Sequence, residues 1–250
     1  MISFIKSTSI IKRKLFLYSE KPTLMDGFSN EYMQSFSKNR KFGFKRFSKF
    51  TKLIDISDDL FKDSFSKTTL YEIRRAKLDA IMCDISNDIE TYITFYNKFL
   101  VEKNLPGLLT IDELKRYGDA FMIRMATLHA HPLFVFHTYL YDSSIKRVRL
   151  LHSVSDIHGQ SLTTEQKALL SKANRLLHYE DMLYFKNIGC NTYDFGGYAY
   201  NTSDKSLIGI NQFKDNFGGV LVEESNYDPY VFYLIKKLIK FWKVLNNHEN

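Results

Sequence analysis

Two stretches decide how this chain reads: Gly189-Cys-Asn-Thr-Tyr-Asp-Phe-Gly-Gly197 and Phe213-Lys-Asp-Asn-Phe-Gly-Gly219. With Gly209 between them they hold six of the eleven glycines. Each Gly-Gly corner follows an aromatic and a charged residue. Glycine reaches backbone conformations closed to other residues, so such corners can bring backbone N–H groups and a side chain to one ligand-sized space. Either corner alone reads as a sharp turn at a strand end.

Working outward, Thr192 to Phe195 is a short strand entering the first corner, and 206–213 a short helix entering the second. Upstream, Thr163-x-x-Gln166 is a capping box with Leu162 as its staple; it opens a long helix to about Asn187 that stops at Gly189. Before that helix, the runs 121–128, 133–141 and 146–154 are β-rich and separated by turn residues, predicting an antiparallel meander. Earlier still come a strand at 49–56, a helix at 60–77 capped from Ser57-Asp58-Asp59, a strand at 80–85, a helix opened by Asn87 and Asp88 and ending near Glu102, and a short helix from Thr110. After the second corner come a strand at 220–223 and a helix at 230–245. That helix sets Lys236, Lys237, Lys240 and Lys243 on one face and Val231, Leu234, Leu238, Phe241, Trp242 and Leu245 largely on the other. This order describes an α/β protein of α+β type, a mixed sheet with helices on its faces.

The 250 residues are 44% hydrophobic and 25% charged, a composition that sustains a full core and excludes a disordered tail, a coiled coil or a collagen. Cys83 and Cys190 form no C-x-x-C pair and read as free thiols of a reducing, cytoplasmic compartment. No segment reads as a signal peptide or a membrane span. Residues 1–52 carry twelve Lys or Arg against three acids, a net of +9, while the remainder is −2. We therefore expect a basic leader at 1–46 and one domain at 47–250. Such a block attracts polyanions, whether nucleic acid, a pyrophosphate-linked substrate or an anionic membrane, or is simply a solvated face.

Tyr193-Asp-Phe-Gly-Gly197 followed by Phe213-Lys-x-x-Phe-Gly-Gly219 resembles the carboxy-terminal signature of Fem-type aminoacyltransferases, within the GNAT acyltransferase superfamily. Tyr71-Glu-Ile-Arg74-Arg75-Ala-Lys77 resembles a second Fem-type signature, and 173–186 resembles the long helix of single-domain relatives associated with surface polysaccharide. The resemblance covers about residues 50–225. It implies a GNAT-like fold with a largely antiparallel central sheet that splays between two strands to admit an acyl donor and an acceptor amine.

By that resemblance Lys214 is the functional lysine, its cation offsetting charge on the tetrahedral intermediate. Phe213 is the aromatic beside it, and Asp194 a residue that orients the amine or takes its proton. Arg74, Arg75, Tyr193, Gly196, Gly197, Gly218 and Gly219 are expected to bind substrate. The donor loop reads Asp156-Ile-His-Gly159-Gln-Ser161 where the superfamily has Gln/Arg-x-x-Gly-x-Gly/Ala, so Gly159, Thr163 and Thr164 are the donor-binding candidates, the helix N-terminus supplying free N–H groups. Two histidines are candidate bases or acceptor contacts: His152, on the strand leading to that loop, and His178, four residues after Asn174 and three before Asp181 on one helical face. His129-x-His131 lacks an accompanying carboxylate or cysteine set, and no metal site is expected.

The expected function is N-acyl transfer from a thioester, acyl-CoA or acyl carrier protein, to an amino group of a sugar or sugar-nucleotide used in cell-envelope polysaccharide. One alternative is a Fem-type transferase that takes aminoacyl-tRNA to a cell-wall or polysaccharide precursor. Another is a non-catalytic GNAT-like module binding RNA or, from the cytoplasmic side, an anionic inner membrane.

Overall fold

A computed structural model describes residues 1–7, 12–19, 22, 30–128, 133–155 and 162–246. The chain divides into two units, residues 52–221, and residues 1–51 with 222–250.

The 52–221 unit is organised by strands β5 (Met82–Ser86), β6 (Phe121–Leu128), β7 (Leu133–Asp142), β8 (Arg147–Ser155) and β9 (Thr192–Tyr198), hydrogen-bonded in the order β9-β8-β7-β6-β5. β5 to β8 pair antiparallel, and β8 and β9 pair parallel. The pattern of β7 shows why both faces are covered. Side chains alternate across a strand, and Val135 and Tyr139 join one apolar cluster while Phe134 and Phe136 join another. On the first face lie the helices α1 (Lys67–Leu78) and α4 (Thr164–Asn187), supplying Ile73, Leu170, Leu177 and Phe185. On the second lie α2 (Ile89–Glu102) and α3 (Ile111–Lys115), supplying Tyr92 and Leu114. Each such fully buried side chain contributes about 1.5–3 kcal/mol.

Helix α4 begins and ends as its sequence dictates. Thr163 accepts from the Gln166 N–H while the Gln166 side chain accepts from the Thr163 N–H, completing the capping box. At the other end Gly189 has φ +94°, its N–H bonds to the Lys186 carbonyl, and the Cys190 N–H bonds to that of Phe185, which is the Schellman pattern. The expected helix over 60–77 is instead a 3-10 segment, Asp59–Ser64, followed by α1, because Ser66 turns its side chain to accept from the Thr69 N–H and starts a new helix. The next strand starts at Met82, later than expected, because Ala80 takes a left-handed φ of +52°. Cys83 and Cys190 are free thiols.

The other unit carries β1 (Ile2–Ser7), β2 (Lys12–Leu17), β3 (Asn30–Ser35), β4 (Phe44–Asp55) and β10 (Val220–Pro229), in the order β1-β2-β3-β10-β4; β4 and β10 run across the division. β1–β2 and β3–β10 are antiparallel and β2–β3 parallel. Among the described residues, the basic leader therefore holds β1, β2, β3 and the start of β4. Tyr32, Phe44 and Tyr227 form a small core with Phe16 stacked on Tyr32, and Arg13 pairs with Glu31 at 2.5 Å. In α6 (Tyr230–Asn246), Lys236 folds back onto Glu31 and Asp228, whereas Val231, Leu234 and Leu238 are exposed. The described part of the expected apolar stripe, Val231, Leu234 and Leu238, is thus solvent-facing rather than packed on the domain.

Candidate active site

The parallel register of β8 and β9 runs only from Arg147–Thr192 to Arg149–Asp194. Beyond it a cavity of about 400 Å³ opens, lined by Ser153, Asn174, His178, Phe195, Phe213 and Lys214 among others. Residues from β8, α4, β9 and the helix α5 (Lys205–Asp215) thus meet in one place.

Helix α5 is capped by Asp204, which accepts from the Ser206 and Leu207 N–H groups, and Lys214 lies in its last turn. Phe217 is fully buried just after it. Gly218 and Gly219 come next with φ +74° and +78°; a Cβ on Gly219 would lie 2.3 Å from the Leu53 carbonyl oxygen, and one on Gly218 2.5 Å from the Ser64 side chain. The second corner is therefore a close backbone approach that fixes where α5 ends. Gly196, with φ +73°, does the same against the Leu150 carbonyl, and the Lys214 ammonium donates to the carbonyl of Gly197. Both corners hold Lys214 at the cavity wall, 8% exposed. Burial lowers its pKa from the usual lysine value to about 8, with Asp194 opposing and Arg149 assisting the shift.

Asp194 is fully buried and paired with Arg147 at 2.6 Å; its other oxygen accepts from the Gly196 N–H at 2.8 Å. Its carboxylate braces the point at which β8 and β9 part.

His178 is packed among aromatic rings, with centroids 4.9 Å from Phe195, 5.5 Å from Phe213 and 5.4 Å from Phe217. Burial holds its pKa well below the ordinary histidine range, with His137, Lys214 and Arg175 adding to the effect, so the ring is neutral at neutral pH. Its Nδ1 lies 2.7 Å from the Tyr193 hydroxyl. Behind it, Tyr193 meets Tyr139 at 2.7 Å, and Tyr139 donates to Asp181 at 2.6 Å. Asp181 is also bound by Arg124 at 2.8 Å and by His137 at 2.9 Å. Asn174 lies 2.8 Å from His137 and accepts from Ser153 at 3.3 Å.

His152 lies on the other face of the sheet. The β7–β8 register passes from Thr138–His152 to Tyr139–Leu150, so Leu151 is an extra residue, and the bulge reverses the facing of the residues beyond it. His152 sits against Tyr92, 2.8 Å from its hydroxyl, and Thr138, and burial pushes its pKa down to about 4.

The remaining expected residues are elsewhere. Arg74 and Arg75 are exposed on α1; Arg74 lines a separate cavity of about 320 Å³ with Lys62, Lys77 and Tyr179. Thr163 and Thr164 form the N-terminus of α4. Gly159, with the rest of 156–161, and His129 and His131 lie outside the described residues. Among the described residues no three of His, Cys, Asp and Glu are grouped to hold a metal ion, and no helix is long and apolar enough to cross a membrane.

Sequence reading did not find His137, Tyr139, Arg124 or Arg147. The available signal was a polar His137 and Tyr139 at period two within a strand otherwise rich in apolar residues, both on the face that α4 covers.

No protein-family model matches the sequence, and neither does any curated protein. Solved structures do. The crystal structure of FemX is similar with a TM-score of 0.64 at 10% identity, over 93% of this chain and 85% of that one. The structure of L-PGS from Bacillus licheniformis gives 0.58 at 11% identity, over 95% and 85%. The C-terminal domain (DUF2156) of a putative lysylphosphatidylglycerol synthetase from Agrobacterium fabrum gives 0.53 at 11%, over 79% and 67%. The fold is thus like that of FemX and L-PGS, as the resemblance to Fem-type proteins implied.

Proposed function

We propose that the protein is an acyltransferase in which a nucleophile, an amine by the family resemblance, attacks a donor carbonyl in the cavity between Lys214 and His178. The observation that carries this reading is the presence, at the mouth of the β8–β9 divergence, of a buried lysine and a buried histidine lining one cavity. A fixed cation in a water-poor site stabilises developing negative charge far better than it would in water. A neutral imidazole can accept the proton that the attacking group must lose. Attack is direct, with no covalent enzyme intermediate.

For the donor, the first reading is an acyl thioester, acyl-CoA or acyl carrier protein, with the N-terminus of α4 near its phosphates and an amino sugar or nucleotide sugar of the cell envelope as acceptor. The second is aminoacyl-tRNA, favoured by the fold likeness to FemX and L-PGS and by the +9 charge of residues 1–52. Catalysis, on either donor, is preferred to a binding role, because a desolvated lysine and a desolvated histidine at one cavity are costly features for a mere binding surface. Contact with an anionic inner membrane belongs to the same reading, through the exposed Val231, Leu234 and Leu238 of α6. Single-turnover assays with radiolabelled acyl-CoA, acyl carrier protein and aminoacyl-tRNA, each offered a panel of amino sugars and nucleotide amino sugars, test it. Transfer from a thioester supports the first reading, transfer from tRNA only supports the second, and transfer from none contradicts both.

A further inference from the structure

The hydrogen bonds behind His178 have only one consistent direction. Asp181 is the ion-pair partner of Arg124, and as a carboxylate it can only accept. Tyr139 has a single hydroxyl proton and gives it to Asp181 at 2.6 Å. In the 2.7 Å contact between the two tyrosines, Tyr193 must therefore be the donor. With its one proton spent, Tyr193 can only accept from His178, so the 2.7 Å contact at Nδ1 requires an Nδ1–H. A neutral ring protonated at Nδ1 carries its lone pair on Nε2, and this ring lines the cavity.

We propose that Asp181, Tyr139 and Tyr193 form a buried relay that fixes His178 as its Nδ1–H tautomer and presents Nε2 to the cavity as the proton acceptor for the attacking group. The catalytic use of that nitrogen rests on the acyltransfer reading above; the tautomer does not. Asp181, Tyr139 and Tyr193 are positioning residues. Asp181 is itself held by Arg124 and by His137, whose Nδ1–H donates to it, so the far end of the relay is anchored on both carboxylate oxygens.

In the reaction, the amine nitrogen bonds to the donor carbonyl carbon as its proton passes to Nε2. The resulting imidazolium keeps its Nδ1–H on Tyr193, and the relay spreads the new charge toward Asp181. Collapse of the tetrahedral intermediate breaks the carbon–sulfur or carbon–oxygen bond to the leaving group, which takes the proton back from Nε2. The ring ends as it began.

Titratable or charged groups face His178 from every element around it: Tyr193 on β9, His137 on β7, Arg175 and Asp181 on α4, and Lys214 on α5. A pH profile alone would mix their contributions, so the decisive measurement is the protonation site. Long-range ¹H–¹⁵N correlation spectra of the full chain should show His178 protonated at Nδ1, and Tyr193→Phe, which removes the hydroxyl that accepts from His178 and donates to Tyr139, should move the population toward Nε2–H. Tyr193→Phe should also lower kcat at least tenfold with KM within about twofold, and shift the acid limb of the kcat profile to lower pH; Tyr139→Phe should do the same more weakly. A wild-type ring protonated at Nε2 overturns the proposal whatever the activity. So does unchanged kcat in Tyr193→Phe when Lys214→Met is impaired. If no donor is turned over, the acyltransfer reading falls separately, and the tautomer alone upholds or overturns the relay.

Discussion

Arg147 and Asp194 face each other at 2.6 Å across the last stretch over which β8 and β9 run in parallel register. The pair is buried on both sides, with side-chain exposures of 5% and 0%. Removing one partner of such a pair leaves the other as an uncompensated buried charge, at a cost of about 3–5 kcal/mol. Asp194→Asn keeps the shape and removes the charge, so urea denaturation should show a loss of that order. A loss under about 1 kcal/mol would mean that the clamp is not what holds the strands where they part.

The glycines of α5 and of the corner after it should respond in opposite directions. Gly209→Ala, inside the helix and with open space around its Cβ, should stabilise by about 0.5–1 kcal/mol. Gly219→Ala meets the Leu53 carbonyl at 2.3 Å in a left-handed conformation, so it should destabilise by at least about 1–3 kcal/mol. Equal midpoints for the two variants in thermal melts would contradict the close approach.

Alkaline titration should expose Lys214. Its folded pKa, about 8, lies below the usual value of 10.5, so between those pH values the unfolded chain binds the extra proton and stability rises with pH. Relative to Lys214→Met, the wild type should gain up to about 3 kcal/mol from pH 8 to 10.5, on the basis of roughly 1.4 kcal/mol for each unit of pKa difference. Activity should fall over the same rise through pH 8, as the ammonium is lost. A stability difference that is flat in pH would show that the lysine is solvated.

His152 gives the acid counterpart. With a folded pKa of about 4 against 6.5, it stays neutral while the unfolded chain takes up a proton, so stability should fall as pH drops from 6.5 to 4. His152→Asn should flatten part of that fall in denaturant midpoints measured across the range. Because the ring lies on the α2 face, kcat at neutral pH should move less than tenfold. A loss as large as that of a cavity residue would mean that His152 takes part in the reaction after all.

Much of this architecture was legible because its signals are local. The capping box at Thr163 and Gln166, the stop at Gly189 and the three runs of the meander depend on neighbours along the chain, and the double Gly-Gly pattern located Lys214. The strands of the leader were not legible. β3, Asn-Glu-Tyr-Met-Gln-Ser, lacks a two-residue alternation, and β2, Lys-Arg-Lys-Leu-Phe-Leu, runs three basic residues into three apolar ones without alternating, so their pairing is set by tertiary partners rather than propensity. Likewise β10 continues through Ser225 to Pro229, a composition that reads as a turn, because it has β3 to pair with. The facing of His152 turned on one extra residue, Leu151, and a register is invisible to a single strand's sequence. Of the relay, His178 and Asp181 were visible on one helical face and Tyr193 in the first Gly-Gly motif. Tyr139, and His137 that anchors the far end, reach Asp181 across 42 and 44 residues of chain.

The central claim, that acyl transfer takes place beside a desolvated Lys214, is tested most directly by the kcat of Lys214→Met on the donor that the wild type uses. The substitution keeps the alkyl stem, removes one hydrogen bond to Gly197 and relieves the burial of a charge, so stability should fall by no more than about 1 kcal/mol. The account predicts a kcat lower by about a hundredfold to a thousandfold with KM little changed, as expected when a preorganised group acts only on the transition state. A Lys214→Met protein with wild-type kcat would contradict it and leave the two Gly-Gly corners as architecture alone.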